Sequence, residues 1–549
     1  MLLPTRVSGT ALRSLARFGR TRLGGKALFA AFRAELGIGS IAALPDDARA
    51  DLPLSVEALR GRPPRELPDA GLSPPPRPWS ASSDALTEAY RKGERTPEDV
   101  THAALSAARA LGARTPSVGP VLEYADESAR DDARASGARY RRGAPLGRLD
   151  GVPIVIKEQT AVRGLSRRAG TTFLSGAPQA ADATCVALLR RAGAIVLGTS
   201  PMTELGMSPL GQNAKRTLPR NPHGVDHVAG GSSTGSGVAV ATGLVPFAIG
   251  ADGGGSIRIP AAINGVFGIK PTWGRVSRHG DVMTGSVGHV GPLASSSLDL
   301  ARALEVIAHR DPFDAETRGA PDVIPGAFVR ATGRGVRGLR IGIEESEMAD
   351  ASPDIAKACL EAVRALEREG AVVVPTRLPY ARVAAPVGYM TISLEALAEV
   401  SAHWRDDADT MSPDLQVTFA AVSQLRASDY VDAQRVRQGL RREVARAFET
   451  IDLLALPTIA KTAARATDRE MQSGFTDAAA LDSLCRFNFL ANLTGLPAAS
   501  APVGKDAGGL PIGLQLVGDA WDEATVLAAC AHLERIGAAR TERPRVTAY

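Results

Sequence analysis

Short apolar runs separated by helical patterns constrain this chain most. "GVPIVIK" (151–157), "AIVLGTS" (194–200) and "PFAIGAD" (246–252) are brief, apolar and bounded by glycine or proline, as buried strands are. "LRIGIEE" (339–345), "AVVVPTR" (371–377), "DLLALPT" (452–458) and "LPIGLQLVG" (510–518) repeat the pattern. Helical stretches lie between them. Thr96, Pro97 and Asp99 mark a helix start, with the helix running to about Leu111. Asp182 reads as the N-cap of "ATCVALLRRAG". "GSGVAVATGLV", "PDIAKACLEAVRALEREG" and "DEATVLAACAHLERIG" read as further helices. Such alternation predicts an α/β fold, a single large domain whose central sheet is covered by helices on both faces. No repeat of fixed period is present.

The 549 residues are ample for a large core. No stretch reaches the ~18 uninterrupted apolar residues of a membrane-spanning helix. Cys185, Cys359, Cys485 and Cys530 are scattered and form no CxxC, so they read as buried thiols of a reducing compartment and not as a disulfide framework or zinc site. The formal net charge is +5, and it is unevenly placed. Residues 1–34 carry Arg6, Arg13, Arg17, Arg20, Arg22, Lys26 and Arg33 without one acid. The body is nearly neutral, which argues against nucleic acid as a partner. Leu12, Leu15, Ala16 and Leu23 fall on one helical face beside Arg13, Arg17 and Arg20. Three readings follow: a peripheral membrane-surface helix, a targeting peptide, or a helix packed on the body with its arginines solvated. Residues 62–80 ("RPPRELPDAGLSPPPRPWS") are proline-rich and read as a linker or an extended wrap. The expected division is an extension over 1–80 and a domain over 81–549.

Residues 229–262, "AGGSSTGSGVAVATGLVPFAIGADGGGSIRIPAA", hold two glycine-serine clusters joined by an apolar run. A phosphate cradle is one reading. Neither cluster carries the lysine of a P-loop, however, "GGSSTGSG" has no strand-like run before it, and no acid is placed for a ribose. The nucleophile reading fares better. "FAIGADGGGS" brings a buried strand to three glycines and then Ser256. Backbone N–H groups of Gly253, Gly254, Gly255 and Ser256 can converge on an oxyanion while Ser256 attacks.

A serine hydroxyl needs a base. His223 and His227 have i,i+4 spacing, but Pro222 and Gly224 oppose a helix there and no third metal ligand accompanies them, so both read as loop residues. Lys157 ends an apolar strand, where burial disfavours its charged form. Lowering a lysine pKa from roughly 10.4 to roughly 7 takes about 4–5 kcal/mol. Read alone, a lysine in this position is more often a snorkelling residue, or one salt-bridged to a neighbour such as Glu158.

"GVPIVIKE", "RNPHGVDHVAGGSSTGSG", "GADGGGSIRIPAAINGVFGIKPTWGR" and "LTGLPAASAPVGKDAGGLPIGLQLVGDAWDEATVL" resemble the amidase signature family over roughly residues 85 to 537. The resemblance implies that fold, with a mixed central sheet, and a serine amidohydrolase working through an acyl-enzyme without metal or cofactor. It places the family's catalytic lysine on Lys157, its bridging serine, held by a cis peptide bond, on Ser232, and its nucleophile on Ser256. Ser233, Asp252 and Arg258 match supporting positions.

"MTELGM", "RNPHG", "GADGGGSIRIP" and "RASDYVDAQRVRQGLRR" look most like the plant fatty-acid-amide-hydrolase branch. That likeness implies N-acylethanolamines or other long-chain acyl amides as small-molecule substrates. Pro201 stands where many relatives have asparagine, and Gly253 where many have threonine or isoleucine. A short-chain or aryl amidase, a non-catalytic scaffold and a member of an amidotransferase assembly are the other readings. A cytoplasmic protein is expected, with peripheral membrane contact through residues 1–34 open and a homodimer open.

Overall fold

The computed structural model describes residues 6–50, 61–63, 65–70, 78–282 and 285–549. An eleven-stranded mixed sheet forms the centre. From edge to edge its strands are Val372–Pro375, Arg340–Ile343, Leu453–Pro457, Pro511–Gly518, Ala498–Lys505, Phe267–Lys270, His289–Ala294, Phe247–Asp252, Pro153–Lys157, Ile195–Ser200 and Glu123–Tyr124. Phe247–Asp252, Pro153–Lys157 and Ile195–Ser200 run parallel to one another, while His289–Ala294 runs antiparallel to Phe247–Asp252. Every residue of Pro153–Lys157, Ile195–Ser200 and Phe247–Asp252 is buried. Helices cover both faces, which is why these strands are apolar without alternation.

The expected α/β alternation is present with small shifts at the ends. Pro97–Gly112 is a helix capped by Thr96, whose side chain accepts from Asp99 N. Pro353–Arg368 and Glu523–Arg535 are the helices expected there. Asp182 does not cap the next helix, Thr184–Arg191, which starts after Ala183. Its carboxylate instead accepts from Arg163 N at 2.8 Å and pairs with Arg190. The reading of a strand-free approach to "GGSSTGSG" also needs correction. Gly224–Val228 forms a short strand paired with Arg220–Asn221, and His227 lies in it. The ladder is only a hairpin, and its middle, Val225 to His227, is not fully buried, so its sequence is too polar to announce a strand.

The basic N-terminus forms two helices, Gly9–Gly19 and Arg22–Glu35, where one apolar face was expected. Thr21 breaks the run by capping the second helix, accepting from Gly24 N at 3.0 Å. Gly24 fits against the Phe18 carbonyl, where a Cβ would lie 1.7 Å from the oxygen. Leu12 and Ala16, with Leu28 of the second helix, pack on Val417, Ala420 and Ala421 of the helix Pro413–Val422. Leu23 points away and is 77% exposed. Arg6–Ser8 adds a short antiparallel strand to Phe475–Asp477.

Part of the proline-rich stretch, Pro64 and residues 71–77, lies outside the described residues. The described part lies along the body. Pro68 O accepts from Gly335 N at 2.7 Å, and Arg62 contacts Asp519. All four cysteines are buried and free. Among the described residues no helix is long and apolar enough to cross a membrane.

Candidate active site

The carboxyl ends of two parallel strands build the site. Pro153–Lys157 delivers Lys157 as its last residue, and Phe247–Asp252 beside it delivers Asp252 and the glycine loop. The first glycine-serine cluster opens the buried helix Thr234–Ala241, and the second leads into the buried helix Arg258–Asn264. The sheet thus brings Lys157, Ser232 and Ser256 to one cavity although the chain separates them widely.

Lys157 Nζ lies 2.7 Å from Ser232 Oγ and donates to Ala251 O at 3.2 Å. The Gly231–Ser232 peptide is cis. Ser233 sits behind this pair. Its Oγ donates to Ala251 O at 3.1 Å and accepts from Ala251 N at 3.2 Å, and its own N–H donates to Ser256 O at 3.2 Å. Ser233 therefore ties the strand end, the first cluster and the backbone of Ser256 together. Ser256 lines the cavity that holds Lys157 and also a second, apolar one.

Lys157 is 1% exposed. Burial brings its pKa down to about 7, against the opposing pull of Asp281 and then Asp252. At neutral pH a substantial fraction is the free amine, the form that can take a proton.

Asp252 folds the glycine loop. Its Oδ1 accepts from Gly255 N at 2.7 Å and its Oδ2 from Ile257 N at 3.1 Å. Gly255 sits at φ +116°, and an added Cβ there would meet the Asn488 side chain at 2.7 Å. Burial alone would push the Asp252 carboxyl up. The Arg258 guanidinium overturns this through its charge and hydrogen bonds, with help from Asn492, and holds it well below the usual carboxylate range. Arg258 Nε donates to Asp252 Oδ2 at 3.0 Å and Nη2 to Asp252 Oδ1 at 2.9 Å, a two-point match of guanidinium to carboxylate. Its remaining donors reach Asn488 O at 3.0 Å, Asn492 Oδ1 at 2.6 Å and Gln515 Oε1.

The three residues around Arg258 come from the C-terminal third of the chain and were not singled out by sequence, although Gln515 lies within the quoted "GLPIGLQLVG" stretch. Asp281 and His289 were likewise not singled out by sequence, yet both line the cavity with Lys157. His289 is buried at the start of an apolar strand, and Asp281 sits in the unremarkable "RHGDV". His223 and His227 lie elsewhere. His223 faces Asn264 O at 3.1 Å and His227 pairs with Asp226.

The second cavity is apolar and narrow, of about 60 Å³. Phe29, Phe32, Leu36 and Ile38 of the N-terminal segment line one side of it, and Tyr389 and Phe489 line another. Gly206, Met207, Ile392 and Ser256 border both cavities. A buried lysine–serine pair, a second serine and a glycine loop meet in one cavity, an arrangement chemically suited to acyl transfer through a serine.

The family model described as Amidase matches residues 99–527. Fatty acid amide hydrolase of Oryza sativa subsp. indica is 32% identical over 481 residues, covering 86% of this chain and 79% of its own. A glutamyl-tRNA(Gln) amidotransferase subunit of Chloroflexus aurantiacus is 34% identical over 487 residues, covering 84% of this chain and 98% of its own. Among solved structures, native peptide amidase of Stenotrophomonas maltophilia superposes with a TM-score of 0.72 at 28% identity, covering 85% of this chain and 98% of its own. The chain belongs to the amidase family and is an amide-hydrolysing enzyme.

Proposed function

We propose that the enzyme hydrolyses long-chain fatty acid amides, with Ser256 as nucleophile, Ser232 as proton relay and Lys157 as general base. The observation that carries the substrate assignment is the apolar cavity, which opens on Ser256 and is lined by Phe29, Phe32, Leu36 and Ile38. An alkyl chain placed there buries apolar surface at about 25 cal/mol per Å², and its carbonyl reaches the glycine loop. The name of the rice relative supports the same reading.

In the proposed cycle Lys157, as the free amine, takes the proton of Ser232 while Ser232 takes that of Ser256. Ser256 Oγ bonds to the amide carbon, and the carbonyl oxygen becomes an anion. Gly255 N–H is already donating to Asp252. The oxyanion role expected of the whole loop therefore moves to the amides of Gly253, Gly254 and Ser256. The proton returns from Lys157 through Ser232 to the departing nitrogen as the C–N bond breaks. Water then attacks the ester, gives its proton to the same relay, and frees the acid and Ser256. Ser233, Asp252 and Arg258 act by holding the loop and strand end in place.

Residues 1–80 serve in this reading as an extension whose second helix walls the acyl cavity, and residues 81–549 as the amidase domain. Phe18, 48% exposed, and Leu23 stand beside the exposed Arg13, Arg17, Arg22 and Lys26, a surface suited to shallow contact with an anionic bilayer. The amidotransferase-named relative supplies the second reading, one chain of an assembly that needs partners. One experiment separates them: the purified chain is assayed alone on amides from acetyl to palmitoyl. Rising kcat/KM with chain length supports the proposal. No turnover of any amide without added partner chains overturns it.

A further inference from the structure

The two cavities of the site meet at Ser256, and Gly206, Met207 and Ile392 border both. An acyl group bonded to Ser256 Oγ has to pass between these residues to enter the apolar cavity. The carbon it carries through this neck is the one next to the carbonyl. Gly206 brings no side chain to the neck. It stands at φ +70°, and a Cβ there would come within 3.2 Å of Ser232 Oγ. Met207 is unbranched and adapts its shape. The rigid wall of the neck is therefore Ile392.

Ile392 lies in the helix Ala384–Glu399. That helix gives Tyr389 and Ser393 to the apolar cavity and Glu395 and Glu399 to the other, with Ile392 between them. A β-branched side chain in a helix has one strongly preferred rotamer, so Ile392 does not swing aside readily. Gly253 of the glycine loop faces it. A Cβ built on Gly253 would lie 2.8 Å from Ile392 Cδ1, whereas Cγ1 of the same side chain is 3.8 Å away. Gly253 does not adopt a positive φ, so its backbone makes no demand for glycine. The space a side chain would need there is taken by the terminal methyl group of Ile392.

Resting on the acyl assignment above, we infer that Ile392 reads the carbon next to the carbonyl, admitting straight acyl chains and rejecting chains branched at that carbon, and that Gly253 is bare in order to seat it. A methyl branch on that carbon meets Cδ1 in the neck, and relieving the clash draws the carbonyl away from the glycine loop. A single extra methylene in a filled apolar site changes kcat/KM by about 10- to 200-fold. A branch farther along the chain lies beyond the neck, in the apolar cavity, and escapes this contact.

The test uses isomeric propylamides of equal carbon count: hexanoyl, 2-methylpentanoyl and 4-methylpentanoyl. The wild type is expected to favour hexanoyl over the 2-methyl isomer by at least about tenfold in kcat/KM. Branching also slows attack at any carbonyl, a factor every variant shares, so the change between variants decides. Ile392→Val removes Cδ1 alone and should shrink that ratio severalfold, while the ratio of hexanoyl to 4-methylpentanoyl stays as it was. Adding Gly253→Ala places a methyl group where Cδ1 had been and should restore the discrimination. A 2-methyl ratio unchanged in Ile392→Val overturns the inference, and so does equal relaxation toward both branched isomers. A double variant as permissive as Ile392→Val overturns the pairing with Gly253. Hexanoyl propylamide and isopropylamide judge the acyl assignment separately. With the acyl group turned toward Lys157 instead, the branched amine carbon would pass the neck, and Ile392→Val would move this amine ratio and not the acyl one. If neither ratio moves, the role of Ile392 fails and the acyl assignment stands.

Discussion

Lys157 Nζ and Ser232 Oγ are 2.7 Å apart in a buried pocket where burial has brought the amine down to about 7. The base must be unprotonated to work. kcat/KM should therefore climb about tenfold per pH unit below about 7 and level off above it. A rate flat from pH 6 to pH 9 would contradict a lysine base. Lys157→Met should reduce kcat at pH 7 by at least about 10³-fold. It should not lower stability, because it replaces a buried amine by a chain of similar length.

Asp281 raises the Lys157 pKa through its charge. Removing that charge with Asp281→Asn makes the ammonium less favourable, so the lysine titrates lower. The acid limb of the pH–rate profile should shift to lower pH. An unmoved limb, or one shifted to higher pH, would show that the two groups do not interact as described.

Arg258 and Asp252 are both fully buried and joined at two points. Arg258→Met leaves a buried carboxylate without its counter-charge, which costs about 3–5 kcal/mol. The denaturant midpoint should fall accordingly, and activity should fall with it because Asp252 holds the Gly255 amide. A loss below about 1 kcal/mol would mean that the network is solvent-relaxed.

Much of the layout was legible in the sequence because buried parallel strands are written as short apolar runs, as in Pro153–Lys157 and Phe247–Asp252. The glycine-serine clusters were legible because Gly255 needs a backbone conformation few residues adopt. Asn488, Asn492 and Gln515 were not, since their roles depend on the fold bringing them to Arg258 from more than two hundred residues away. The N-terminal helices were only half legible. The apolar periodicity of Leu12 and Ala16 was visible, but the break at Thr21 and the burial against Ala420 and Ala421 are tertiary facts.

The apolar cavity proposed to take the acyl chain is walled in part by the second N-terminal helix and the residues after it. Ile38→Trp adds bulk there and should move the preferred acyl chain to shorter lengths, lowering kcat/KM for palmitoyl amides at least about tenfold while acetyl amides change little. An unaltered chain-length profile would place the acyl chain elsewhere.

The central claim is that Ser256 attacks and that Lys157 arms it. Labelling with a fluorophosphonate followed by peptide mass mapping addresses both halves at once. The account predicts one adduct, on Ser256, formed quickly at pH 8 by the wild type and at least about 10²-fold more slowly by Lys157→Met. An adduct on Ser232 or Ser233, or equal labelling rates in the two proteins, would contradict it.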